Sequence, residues 1–183
     1  MNFTAALLRS CFLFLILCSL ALAADADKGR TTRGESLPNP ESHIVDKWRG
    51  TWEVKALRRE PRPVQEVTYV ETFDWILDKR FLRSETSRKS DGNRSMSMFW
   101  YDIFTKTYRF VIYDSSGLAV ILPSPLWRES TQTMEWNSGF FEPLSYTGYA
   151  TFTDRDTMRW KSLWKDWKGT VILDLEGTSI RRK

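Results

Sequence analysis

From Gly50 onward, apolar and polar residues alternate with a period of two. Trp52, Val54 and Ala56 alternate with Thr51, Glu53 and Lys55, and Met158, Trp160, Ser162 and Trp164 alternate with Arg159, Lys161 and Lys165. Val171, Leu173 and Leu175 repeat the pattern against Thr170, Asp174 and Glu176, with Ile172 the exception. This is the signature of strands with one face buried. Turn-forming clusters punctuate the chain at 59–63, 91–93, 114–117, 124–125, 154–156 and 168–169. Between them the pattern predicts about ten strands, near 51–57, 64–76, 80–89, 94–101, 107–113, 117–122, 130–137, 145–153, 157–165 and 169–177. Such short connections mean hairpins, hence an antiparallel meander. A meander this long avoids exposed edges most simply by closing on itself. The predicted fold is therefore all-β, a single antiparallel up-and-down barrel.

The N-terminal 49 residues follow other rules. Arg9 precedes an apolar run from Cys11 to Leu20 broken only by Ser19, and Ala21-Leu22-Ala23 is a small-x-small site. That order predicts a signal peptide over 1–23 and an exported protein, periplasmic or extracellular. The run is short for a membrane span, and no second one follows. Residues 24–40 read as a flexible leader, which leaves 41–183 as the folded domain. Asn39-Pro40-Glu41 reads as a helix start, with Ile44 and Trp48 sharing one face of a short helix.

Both cysteines, Cys11 and Cys18, fall inside the segment to be removed, so the mature domain must be held together by burial alone. Nine tryptophans and eleven phenylalanines supply the large side chains for that. The net charge of +4 is mild and its basic residues are scattered, which argues against nucleic acid as a partner.

Gly50-Thr51-Trp52, opening the first strand after a short helix, resembles the start of a lipocalin or other calycin. Three further stretches resemble the secreted calycin-like proteins of domain-of-unknown-function family 1579. They are Leu77 to Leu82, Phe99-Trp100-Tyr101-Asp102 ahead of Tyr108, and Tyr113 to Gly117. The resemblance spans about 45–177, although the family pattern has glycines where this chain has Asp78, Lys79 and Trp100. It implies a barrel and transfers no catalytic residue.

Histidine occurs once, as His43 in the expected helix. That removes the usual nucleophile–histidine–acid apparatus and multi-histidine metal sites, so no catalytic residue, metal or cofactor is assigned. Asp154 and Asp156 read as turn chemistry. Glu71 shares a strand face with Tyr69, Phe73 and Trp75. Facing inward, it would have a raised pKa and a candidate acid–base role; alternatively it points outward, or pairs with Arg83 or Arg109.

Strand parity sorts the loops into two ends. The helix, the C-terminal tail and connections at 77–80, 102–107, 123–129 and 154–156 share the end where the first strand begins, with Trp52 and a stacking Arg181 or Arg182 as a plug. The other end collects Arg58, Arg59, Arg62, Phe140, Phe141, Trp167 and Lys168, an aromatic and basic rim. With Glu71, Phe73, Trp100, Phe110, Trp136 and Trp160 assigned to the lining, the expected function is non-enzymatic binding of a small hydrophobic or amphipathic ligand, possibly anionic by reason of the rim cations. The alternative is a structural or interaction protein of the cell envelope, with a packed barrel and aromatic loops that contact a partner.

Overall fold

The computed structural model describes residues 36–137 and 144–183. A short helix, α1 (Ser42–Asp46), leads into the sheet. The Asn39 side chain starts it as expected, its Oδ1 accepting from the Ser42 backbone N–H at 2.8 Å and from the Ser42 hydroxyl at 2.9 Å. The strands follow as β1 (Gly50–Glu60), β2 (Gln65–Ile76), β3 (Phe81–Thr86), β4 (Ser95–Asp102), β5 (Thr107–Asp114), β6 (Ala119–Leu122), β7 (Leu126–Arg128), β8 (Thr133–Asn137), β9 (Leu144–Phe152), β10 (Thr157–Asp166) and β11 (Val171–Arg181). They form one antiparallel sheet in the order β6-β5-β4-β3-β2-β1-β11-β10-β9-β8-β7. Among the described residues no helix is long and apolar enough to cross a membrane.

Eleven strands replace the ten expected, and the difference is instructive. Following the antiparallel pairings outward from β1 in both directions, β6 and β7 run the same way. They are one continuous stretch interrupted at Pro123-Ser124-Pro125. Proline has no N–H to give the ladder, so pairing with β5 stops there and pairing with β8 begins beyond it. The expected reversal over 123–129 is corrected to a single 3-10 turn at Glu129–Thr131, ended by Gln132 in the left-handed region (φ 51°). The sorting of loops between two ends survives, because the broken strand counts once.

The sheet curls until residues near its margins meet. Phe110 on β5 and Trp136 on β8 stand with ring centroids 5.7 Å apart. At the base, Trp48 makes edge contacts with Phe99 at 5.1 Å and Phe152 at 4.7 Å. Trp52 is fully buried, and its indole N–H donates to the Trp48 carbonyl at 2.6 Å. The Arg181 guanidinium lies 4.1 Å from the Trp52 ring centroid and donates to the Lys47 and Arg49 carbonyls. The last strand thus clamps the helix over the lower opening, and the plug expected at Trp52 is present with Arg181 as its stacking cation. Gly50 enters β1 at φ +113°, a conformation that favours glycine, with Arg181 against its Cα.

The turn between β2 and β3 is left-handed. Leu77, Asp78 and Lys79 all have positive φ, at 49°, 54° and 60°. Glycine adopts that region without a Cβ penalty. Three residues with side chains occupy that region here, at some cost.

Candidate ligand-binding site

One face of each strand lines the interior, and its exposure changes along the barrel. Toward the base, Trp52, Leu82, Phe99 and Met134 have no accessible surface. Toward the opposite end, inward positions such as Tyr69, Glu71, Trp160, Ser162, Leu173 and Leu175 are only half-buried. The upper half is the more open of the two at these positions, although Val67, Trp136, Tyr146 and Trp164 are buried there as well.

The walls of the open half differ in chemistry. On the β2–β4 side, register brings Glu71 opposite Thr86, and Phe73 opposite Ser84, which in turn pairs with Ser97. The Ser84 and Ser97 hydroxyls are 2.7 Å apart, and Thr86 Oγ1 donates to the Ser95 carbonyl while accepting from its N–H. Burial raises the Glu71 pKa, against the lowering effect of a hydrogen bond with Ser84 and the charge of Lys89. Burial likewise raises the Tyr69 phenol well above its ordinary value, with the negative charges of Glu71 and Asp91 adding to it. Lys89, from the loop between β3 and β4, holds its ammonium 5.2 Å from the Tyr69 ring centroid.

The β8–β11 side is aromatic. Tyr146 packs edge-on against Trp164 at 5.0 Å and Trp136 at 6.5 Å, and burial pushes its phenol up to about 12, a hydrogen bond with Ser162 opposing the shift. The Trp164 indole donates to Ser162 at 2.9 Å and the Trp160 indole to Ser179 at 3.0 Å. The Trp136 indole N–H has no hydrogen-bond partner among the described residues. Both phenols stay protonated at neutral pH, so this interior offers neutral donors, aromatic faces and one carboxyl group.

The expected site residues distribute unevenly. Glu71 faces inward, so the outward alternative and the pairing with Arg83 or Arg109 are both set aside: Arg83 pairs with Glu85 and Arg109 with Asp102. Phe110 and Trp160 line the interior half-buried, while Phe73 and Trp136 belong to the packed core. Trp100 corrects the expectation, since alternation on β4 sends its buried neighbour Phe99 inward and Trp100 outward, against Phe81 at 5.4 Å.

The rim cations are already engaged. Arg58 is at the upper end of the inward face and pairs with Asp91 at 3.3 Å. Arg59 is on the outer face, between Glu176 and Asp174, and Arg62 pairs with Glu60 at 3.2 Å. Trp167 is exposed in the β10–β11 turn, with the Lys168 ammonium 4.9 Å from its ring. Phe140 and Phe141 lie outside the described residues. Asp154 is turn chemistry, accepting from the Asp156 N–H at 2.7 Å, and His43 is exposed on α1. Among the described residues no cluster of three metal-ligating side chains occurs.

Sequence reasoning passed over Ser84, Ser97, Tyr146 and Ser162. Small polar residues on a strand look like a solvent face until their cross-strand partners are known.

The raised Glu71 pKa has a consequence for stability. Folding favours its protonated form, so its contribution is complete below the unfolded pKa and is lost as pH rises through the folded one. Glu71→Gln, which cannot ionise, is expected to be more stable than the parent at neutral pH. The gap should close in acid, read as urea midpoints at the two pH values. A less stable variant at neutral pH would mean that the ionised carboxylate is net favourable.

No family model matches the chain, and no curated protein matches it. Solved structures do. The protein Rv2717c from M. tuberculosis superposes with a TM-score of 0.60 at 14% identity, over 81% of this chain and 100% of that one. The S-type phycobiliprotein lyase CPES from Guillardia theta gives 0.52 at 12% identity, over 80% and 94%. The chain is similar to these proteins in fold.

Proposed function

We propose that this protein holds a small hydrophobic or amphipathic molecule in the open half of its barrel, as a carrier or sensor that leaves the molecule unchanged. The observation that supports this reading is one continuous interior face, sealed by tryptophans at the base, on which Tyr69, Glu71, Trp160, Ser162, Leu173 and Leu175 keep partial exposure above it. A barrel of this size closes a ligand site only if its lower end is plugged and its upper layers are not filled. Apolar walls supply most of the binding energy, and a few fixed polar groups orient the ligand. The N-terminal pattern adds export to the proposal, which would place the encounter outside the cytoplasm.

A neutral fluorophore, N-phenyl-1-naphthylamine, tests the reading without engaging any charge. Saturable micromolar binding is expected, with energy transfer from the interior tryptophans. Trp160→Ala should weaken it about tenfold, equivalent to roughly 1.4 kcal/mol. Absence of saturable binding to the folded protein would show a filled barrel and favour the interaction-protein reading.

A further inference from the structure

Resting on that reading of the interior as a ligand site, we propose that it selects organic cations, taking a protonated amine beside Glu71 and Tyr69 in the place the Lys89 ammonium now occupies. Three observations converge on this. Glu71 is a carboxyl group on an inward strand face between Tyr69 and Phe73, with a hydroxyl, Ser84, as its hydrogen-bonding neighbour. A carboxylate in such surroundings is costly unless a positive charge approaches it. Aromatic rings stand on the same wall and across from it, Tyr69 beside the carboxyl and Trp136, Tyr146 and Trp160 on the opposite side. Aromatic faces attract ammonium groups, and the more so away from water.

The third observation is that the molecule supplies its own surrogate. Lys89 comes from a loop, not from the barrel wall, yet its ammonium rests 5.2 Å from the Tyr69 centroid and acts electrostatically on Glu71. A tethered ammonium thus already finds this spot favourable. A lysine on a loop can swing into water at little cost, because its charge is then fully hydrated. A ligand amine that brings an apolar body with it gains contacts with Trp136, Trp160 and Leu173 that Lys89 lacks.

The expectation of an anionic ligand rested on rim cations, of which Lys168 lies over the Trp167 ring and the three arginines are paired. Arg58 faces Asp91, Arg59 faces Glu176 and Asp174, and Arg62 faces Glu60. Each would have to give up a carboxylate partner before binding an anionic head group.

The test uses decylammonium, decanoate and 1-decanol, three chains of equal length, titrated by displacement of N-phenyl-1-naphthylamine and by calorimetry. Decylammonium is expected to bind at least tenfold more tightly than decanoate. Glu71→Gln should remove most of that preference and bring decylammonium close to decanol. Lys89→Met should raise decylammonium affinity several-fold relative to decanol; this second variant sits on a loop, so it gives an independent reading beside Glu71→Gln. Equal binding of all three chains, or tighter decanoate, would overturn the cation proposal and leave the ligand site standing. Failure of all three to bind would overturn both.

Discussion

Replacing Trp52 with alanine is expected to lower the unfolding free energy by about 3–5 kcal/mol, the range for truncating a fully buried aromatic residue. Several losses coincide there. The indole has no accessible surface, packs near Phe152 with centroids 6.3 Å apart, and donates to the Trp48 carbonyl at 2.6 Å. Removing it leaves that carbonyl without its donor and takes away the ring on which Arg181 lies. Since Arg181 also reaches the Lys47 and Arg49 carbonyls, the helix loses one of its ties to the sheet. Urea unfolding followed by tryptophan fluorescence reads the change. A shift worth less than about 1 kcal/mol would mean that the base is held elsewhere.

Gly148→Ala should destabilise by about 2–3 kcal/mol, although it adds a single methyl group. A Cβ at this position would meet the Tyr146 hydroxyl at 2.5 Å and the Lys161 backbone carbonyl at 2.6 Å. The phenol could move, but the carbonyl belongs to β10 and its ladder with β9. Gly177 follows the same plan: a Cβ there would meet the Trp160 ring at 2.7 Å and the Lys55 carbonyl at 2.8 Å. Two strand glycines thus give two interior aromatic rings room to lie against bare backbone, which is how glycine in a sheet commonly serves close packing. Because Tyr146 lines the open half, Gly148→Ala should also reduce N-phenyl-1-naphthylamine binding in protein that remains folded. A variant of unchanged urea midpoint would show that β9 relaxes without strain.

The two glycines show where local pattern stops being informative. Neither is in a turn, and nothing nearby in sequence indicates that an aromatic ring lies across either one. Trp100 makes the same point more sharply. Phe99 and Trp100 are adjacent and both apolar, so alternation requires one to face inward and the other outward without saying which. Pairing answers it, because Phe99 lies opposite Leu82 on β3 and Phe110 on β5, both inward.

Other features were legible because they depend on near neighbours. The asparagine cap of the helix, the strand periodicity, the hairpin turns and the two-ended arrangement of loops all follow from residues a few positions apart. The plug at Trp52 was legible too, since an unbroken meander returns its last strand beside its first. Pro123 and Pro125 were visible as breakers, yet whether they reverse the chain or only change its pairing partner depends on strands far away in sequence.

Charge was the least local property of all. The arginines of 58–62 look like a free basic rim in sequence, but Asp91, Asp174 and Glu176, between 33 and 117 positions away, neutralise two of them in the fold. Glu71 could face inward or outward by its pattern alone, and only curling of the sheet turns its face inward. Alternation determined that this chain makes a barrel with two distinct faces. Only the tertiary structure decided which face encloses the interior, because burial depends on cross-strand partners that lie far apart along the chain.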